Sequence, residues 1–248
     1  MFDLAIITAA AFLAGALNTI AGGGTFLTFP ALVFAGLPPI AANATSAVAV
    51  FPGYLGGVMG FWREVSEFDR KRLWSITLVT AVGGLIGSVL LLVSSNEAFS
   101  AVIPFLLLAA TLVFAFGPRI RGWAERKTRE ITPYGKAGNV LVSIYGGYFN
   151  GGLGIVLLAL FSLWGMKDLN QMNGLKNWLS FVLSAVSVVT FAAAGIVAWP
   201  QAIVMMFAAI VGGYAGAPLA RALPVAVVRA IIVAVGMTMS LVFFFRLL

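Results

Sequence analysis

The chain has 248 residues, of which 61% are hydrophobic and only 9% are charged, and its formal net charge is +7. Soluble domains average about 45–50% apolar and about 25% charged residues, so this composition excludes a water-soluble monomer. The basic residues lie in short loops between apolar segments, which favours anchoring of those loops in the cytoplasm over nucleic-acid binding.

Apolar segments fill almost the whole chain, which indicates one integral membrane domain in the lipid bilayer. Cysteine and histidine are both absent, so the sequence has no disulfide framework and no thiolate nucleophile. The first apolar stretch lacks a basic amino-terminal region, and we therefore interpret it as mature protein and not as a cleaved signal.

The first half begins with an apolar run at residues 3–36 that is interrupted at 18–24. As one helix this run would be about 50 Å long, which is too long for a hydrocarbon core of about 30 Å. We therefore predict a hairpin of two short helices whose second arm, 24–36, is re-entrant. Full spans are predicted at 42–62, 73–93 and 98–117, and a polar linker at 118–136.

The second half repeats this plan, with motifs that recur at an offset of roughly 129 to 132 residues. Its predicted elements are a hairpin at 138–165, broken at 150–154, and spans at 171–194, 200–220 and 225–247. The predicted repeats are 1–117 and 137–248. Because each hairpin returns to one face and three crossings follow it, the two repeats must have opposite orientations. The predicted fold class is an all-α polytopic membrane protein with two inverted-topology repeats, each a broken re-entrant helical hairpin plus three transmembrane helices.

The distribution of basic residues in the loops agrees with inversion. Lys and Arg concentrate in the loop at 63–72 and in the linker at 118–136, whereas the loops at 37–41 and 94–97 contain neither. Cytoplasmic loops retain basic residues, and the inverted arrangement also places Lys167 in the cytoplasm. The predicted location is therefore the cell inner (plasma) membrane, with both termini outside.

Four glycine pairs have the spacing that lets membrane helices approach closely, and we predict helix packing for them. They are Gly53 with Gly57, Gly56 with Gly60, Gly83 with Gly87, and Gly212 with Gly216.

The clusters at 22–24 and 151–154 differ, because successive glycines destabilise a helix by about 1 kcal/mol each relative to Ala. A new helix begins after each break, so unpaired N–H groups and the positive end of a helix dipole point into the protein. Two such ends facing each other at the midplane would suit a small anion. A purely structural hinge is the alternative.

Polar side chains recur at the same places in both halves. Lys176 is the strongest single candidate, because it could supply one fixed positive charge to an anionic substrate; the alternative is a lysine that extends to the membrane interface. An Asn at these positions can also cap or join helices. The candidate binding residues are Asn18, Thr19, Gly22, Gly23, Gly24, Thr25, Asn43, Thr45, Ser46, Asn150, Gly151, Gly152, Gly154, Asn173, Lys176 and Asn177.

All eight acidic residues lie in predicted loops or at helix ends. The interior therefore lacks the carboxylates that proton relays, divalent-cation sites and intramembrane hydrolysis use. We expect no metal, no cofactor and no enzymatic activity.

The stretch LNTIAGGGTFLTFPAL at 17–32, the segment ANATS at 42–46, and the segments GGLG at 151–154 and NGLKN at 173–177 resemble the TauE/SafE family of sulfite exporters and related organosulfur anion permeases. The resemblance covers essentially the whole chain and implies transport of a small sulfur oxyanion such as sulfite or an organosulfonate. The family is described with eight spans, whereas the length argument gives six spans plus two hairpins.

The resulting hypothesis is an exporter in which backbone N–H groups at both breaks bind the oxyanion, the four Asn side chains orient it, and Lys176 offsets its charge. Without an internal carboxylate, the protein is either a facilitator or a carrier that moves protons on the substrate as the hydrogen anion. An anion channel of the same architecture and a non-transporting membrane scaffold are the alternatives, and a homo-oligomer is left open.

Overall fold

The computed structural model describes residues 2–20, 23–127, 135–222 and 225–245, and these ranges contain helices and no strand. The all-α fold class predicted from the sequence is confirmed for them. The helices are α1 (Phe2–Ile20), α2 (Thr25–Phe34), α3 (Pro39–Gly60), α4 (Trp62–Ser66), α5 (Arg70–Val93), α6 (Asn96–Lys127), α7 (Lys136–Tyr148), α8 (Leu153–Leu163), α9 (Leu169–Ala193), α10 (Trp199–Ala222) and α11 (Val225–Phe245).

Both predicted interruptions are present, between α1 and α2 and between α7 and α8. Two differences from the predicted elements concern the polar segments. A short helix, α4, precedes α5, and its Arg63 forms an ion pair of 3.4 Å with Glu67, the residue that follows the helix, at the (i, i+4) spacing that helices favour. In addition, α6 continues to Lys127, so the first part of the predicted linker is helical; its Ala, Glu, Arg and Lys residues are strong helix formers.

The second arm of each hairpin is short and ends in the same way. Helix α2 has 10 residues and α8 has 11, fewer than the roughly 20 that cross a bilayer. Gly36 and Gly165 follow them with φ values of 90° and 83°. Such left-handed residues let the next N–H close the last turn, as Leu37 does by donating to the Leu32 carbonyl at 3.1 Å. The chain therefore turns sharply after each arm.

Aspartate side chains cap the starts of two described helices, α5 and α9, and both caps are exposed. Asp69 accepts a hydrogen bond from the Arg72 N–H at 2.9 Å at the start of α5. Asp168 accepts from the N–H groups of Asn170 and Gln171 at 2.8 and 3.3 Å at the start of α9. Each cap satisfies donors that the first helical turn leaves unpaired.

The outer surface is apolar and the interior contains polar side chains. On α5, Trp74, Leu78 and Val93 are all more than half exposed, whereas Thr80 and Ser88 are buried. Among the described residues, three helices are long and apolar enough to cross a membrane, at 70–93, 96–113 and 169–193, and several shorter apolar helices accompany them. This pattern is that of a multi-pass membrane protein.

Close helix contacts confirm the packing role of Gly83, Gly87 and Gly212. A Cβ at Gly87 would collide with the Ile144 carbonyl of α7, and a Cβ at Gly212 would collide with the Phe12 carbonyl of α1. The packing of Gly216 lies outside what the structure describes. These glycines let α5 approach α7, and α10 approach α1, backbone to backbone.

For Gly53, Gly56 and Gly60 the packing prediction is wrong. No atom lies within 4 Å of a Cβ built at any of the three, so they face open space. Only Gly57 of this set is in close contact, with its Cβ position 2.7 Å from Cγ of Asn177 on α9. Glycine spacing is the same whether the small face meets another helix or a cavity.

Two helix pairs, α3 with α9 and α6 with α11, pack in antiparallel orientation. The start of α3 lies near the end of α9, because Thr45 Oγ1 accepts a hydrogen bond at 3.0 Å from the N–H of Ala198, which follows α9. The end of α3 lies near the start of α9, where Gly57 contacts Asn177. Between these points, Phe51 and Phe181 stack with ring centroids 5.3 Å apart. Helices α6 and α11 are likewise antiparallel, as the contacts of Pro104 with Ser240 and of Thr111 with Gly236 show.

An aromatic cluster brings the two breaks together. Phe29 of α2 packs edge to face on Phe149 of the second break, at 5.6 Å between centroids, and stacks on Phe243 of α11 at 5.7 Å. A Cβ at Gly152 would lie 3.5 Å from the Phe26 ring of α2. The second break is therefore packed directly against the first hairpin.

Candidate functional site

A partly open cavity of about 600 Å³ lies between α3 and α9 and is bordered by both breaks. Eight of the residues proposed from the sequence line it: Asn18, Gly23, Asn150, Gly152, Gly154, Asn173, Lys176 and Asn177. The structure thus brings the central part of the candidate set into one space.

At the first break, the carboxamide of Asn18 closes the interruption. Asn18 Oδ1 accepts hydrogen bonds from the N–H groups of Gly23 and Gly24, at 3.0 and 2.8 Å. Gly23 has a φ of 120°, which a residue with a Cβ rarely adopts. Two of the donors expected to face a substrate are therefore occupied by the side chain that precedes the break.

At the second break, the chain turns through Gly152, whose φ is 70°. The ladder of α8 begins there, because the N–H groups of Ile155 and Val156 donate to the Gly152 carbonyl at 3.0 and 3.3 Å. The N–H groups of Leu153 and Gly154 precede the first ladder bond and mark the positive end of the α8 dipole.

Lys176 is held against this helix start. A Cβ at Gly154 would lie 3.3 Å from Lys176 Cδ, so the lysine stem crosses the first turn of α8. Its ammonium donates to Asn173 Oδ1 at 3.0 Å. Of the cavity-lining residues that the structure describes, Lys176 is the one charged residue, and no described carboxylate forms an ion pair with it. The cavity therefore has a positive end.

Asn150, Ser180 and Tyr54 also line the cavity, and Ser180 lies one helical turn after Lys176 on α9. Asn150 Nδ2 donates to Ser184 Oγ at 3.4 Å, and the Tyr54 hydroxyl lies beside the carboxamide. Asn150 Oδ1 and Ser180 Oγ are buried and make no hydrogen bond to the described part of the protein. Buried polar atoms normally find a partner, so two unpaired atoms at one cavity are unusual.

Three candidates at the start of α3 lie elsewhere and join helices. Asn43 Nδ2 donates to the Tyr148 carbonyl at 3.0 Å, and the hydroxyl of Ser46 is 2.6 Å from that of Thr28. Thr45 accepts from the N–H that precedes α10. These bonds connect α3 to α2 and to the second half, so the structure does not place this cluster in the cavity.

The remaining candidates are not among the lining residues either. Gly24 and Thr25 are buried at the start of α2, and the Gly151 carbonyl accepts a hydrogen bond from the Tyr145 hydroxyl. The side chain of Thr19 and all of Gly22 lie outside the described residues.

Several lining residues were missed or misassigned by the sequence analysis. Gly53, Gly56 and Gly60 of α3 form part of the cavity lining. Tyr54 of α3 and Ser180 of α9 add polar groups to the cavity. No signal in the sequence identified these glycines as cavity residues, because their spacing is the same on a packed helix face and on a cavity wall.

A multi-pass helical protein whose polar cavity lies between two broken helices has the architecture of a membrane transporter. The chain belongs to the TauE/SafE family: the sequence profile described as "Sulfite exporter TauE/SafE" matches residues 7–243. This is a family of transporters and not of enzymes, so the family suggested by the sequence motifs is confirmed.

Curated relatives agree with this assignment. A "Probable membrane transporter protein" of Haemophilus influenzae is 28% identical over 239 residues, which cover 96% of this chain and 92% of that protein. "Probable membrane transporter protein ORF9" of Sinorhizobium sp is 27% identical over 241 residues, with 96% and 91% covered. "Probable membrane transporter protein YfcA" of Escherichia coli K12 is 28% identical over 250 residues, with 96% and 88% covered. No solved structure matches the chain.

Proposed function

We propose that this transporter moves a small sulfur-containing oxyanion, such as sulfite or an organosulfonate, and binds it in the cavity between the two breaks. The observation that carries this proposal is that Asn18, Asn150 and Lys176, from distant parts of the sequence, border one cavity. The family description as a sulfite exporter supports the sulfur oxyanion as the substrate class.

The positive end of the cavity supplies the attraction for an anion. The Lys176 ammonium and the first N–H groups of α8 converge there, and both favour negative charge. Because the Gly23 and Gly24 N–H groups already donate to Asn18, the first break contributes shape and a carboxamide rather than free backbone donors. The anion site is therefore asymmetric, with its charge on the second half.

We further propose that the two halves are inverted repeats, each a hairpin plus three transmembrane helices. Counterpart helices α3 and α9, and α6 and α11, are antiparallel, as inversion requires. The contact of Gly212 with Phe12 is matched by that of Gly87 with Ile144. By these contacts, Gly87 corresponds to Gly212. The glycine motifs alone align Gly83 with Gly212, which differs by one helical turn.

The proposed direction is export from the cytoplasm across the inner membrane. The cavity lies at the end of α3 and the start of α9, next to the basic segment at 63–72. Basic loops are retained in the cytoplasm, so the cavity would load from that side.

The test is uptake of sulfite by inside-out proteoliposomes that contain the purified full chain. Flux should saturate with sulfite concentration and fall in the Lys176→Met variant, while Lys167→Met, at an exposed lysine outside the cavity, should transport normally. Flux that never saturates would favour a channel. Unchanged flux in the Lys176 variant, or none above empty liposomes, would contradict the proposal.

A further inference from the structure

The charge of the cavity limits the charge of its ligand. Lys176 is the one charged residue among the described lining residues, and Asn173 is its hydrogen-bond partner. A monovalent anion would be neutralised by this lysine, whereas a second negative charge would be buried without a counter-ion, which is strongly unfavourable. The cavity is therefore matched to a single negative charge.

Asn150, which also lines the cavity, offers a hydrogen-bond acceptor that none of the described residues uses. Asn150 is only 5% exposed, its Nδ2 is engaged by Ser184, and its Oδ1 has no partner among the described residues. A bare oxyanion, which only accepts hydrogen bonds, cannot satisfy a carbonyl oxygen. An O–H or N–H group on the ligand can.

Ser180 adds a hydroxyl group, which can both donate and accept a hydrogen bond. It is 1% exposed, lines the same cavity, and its hydroxyl has no partner in the described structure. A hydroxyl can donate to an anionic oxygen, so Ser180 and Lys176 together present donors while Asn150 presents an acceptor. The three side chains complement a ligand that has several acceptors and one donor.

We propose that the site selects a monovalent oxyanion that carries one hydrogen-bond donor, and that Asn150 Oδ1 recognises this donor. The inference rests on the proposed anion site and assigns Asn150 as its specificity-determining residue. Rejection of ligands that lack the donor follows because they leave the Asn150 carbonyl oxygen unpaired. A hydrogen anion that meets these requirements takes its proton with it through the protein.

The experiment compares two sulfonates of the same charge and nearly the same shape. Hydroxymethanesulfonate carries an O–H where ethanesulfonate carries a methyl group, and sulfate serves as the divalent probe. Equilibrium binding to the full chain in nanodiscs is measured by calorimetry for each probe. We expect hydroxymethanesulfonate to bind at least about tenfold more tightly than ethanesulfonate, and sulfate more weakly than either.

The variants locate the discrimination. Asn150→Leu should bind the two sulfonates equally. The matched control is Asn43→Leu, because Asn43 is also buried, at 3% exposure, with an unpartnered Oδ1, but lies outside the cavity. This control should retain the preference even if its melting temperature falls.

Three results would overturn the inference. Equal binding of the two sulfonates by the unmodified protein, or a preference that persists in Asn150→Leu, would refute the role of Asn150 while leaving the anion site intact. Tighter binding of sulfate would refute the single-charge requirement. If none of the three anions binds, the proposed function fails together with the inference.

Discussion

Replacing Lys176 by methionine isolates the contribution of one charge to anion binding. Lys176 Cδ lies 3.3 Å from the position that a Cβ on Gly154 would occupy. Methionine is similar in length to the lysine stem, so this contact is largely preserved. The ammonium and its hydrogen bond to Asn173 Oδ1 at 3.0 Å are lost. The change therefore removes charge with little change in packing.

The size of the effect follows from the position of the lysine. Two unit charges about 4 Å apart attract by about 4 kcal/mol at an effective dielectric constant of about 20, and part of this is lost to desolvation of the anion. A net loss of about 1.5–3 kcal/mol, typical of a hydrogen bond to a charged group, corresponds to roughly 10- to 150-fold weaker binding.

Calorimetric titration of sulfite into the protein in nanodiscs measures this change, with thermal unfolding as a check on folding. Lys176→Arg should retain most of the affinity, and Lys167→Met all of it. A folded Lys176→Met protein that binds sulfite as tightly as the unmodified chain would show that the positive end of the cavity is not where the anion binds.

Three further outcomes test the framework of the site. Asn18→Ala leaves the N–H groups of Gly23 and Gly24 unpaired and should destabilise the protein by about 1–3 kcal/mol. The effect is measured as a lower melting temperature. An unchanged melting temperature would contradict the role of Asn18 in closing the first break. Gly147→Ala forces a Cβ into the α5 backbone and should lower stability by about 1–3 kcal/mol or more, whereas Gly53→Ala, with open space around it, should fold normally. Because the chain has no cysteine, Tyr54→Cys should react with a water-soluble thiol reagent and be protected by substrate, whereas Ser46→Cys should not react.

Sequence reasoning located the breaks because their causes are local. The apolar run at 3–36 is too long for one span, and glycine clusters mark where it must end. The same logic identified Asn150 and Lys176, since polar residues inside apolar segments are few. These predictions depend on chain length and composition, which do not require knowledge of tertiary contacts.

The roles of individual polar residues could not be predicted in the same way. Asn43 and Asn173 occupy corresponding motif positions, yet Asn43 binds the Tyr148 carbonyl while Asn173 faces the cavity beside Lys176. Which end of α3 is closed depends on how it packs against the second half, and this is a long-range property. The spacing of Gly53 and Gly56 was ambiguous for the same reason, because a small face suits a helix or an open volume equally.

Helices α3 and α9 pack side by side, but the surroundings of the pair differ between its two ends. The cavity lies at one end. At the other end, Asn43, Thr45 and Ser46 of α3 form hydrogen bonds with neighbouring elements. Each such bond contributes about 0.5–1.5 kcal/mol, so the three bonds contribute roughly 1.5–4.5 kcal/mol in total. A shift of about 5.5 kcal/mol reverses a 99 to 1 preference between two conformations. The three bonds together are thus weaker than a change of that size, so a perturbation that reverses such a preference is large enough to break them.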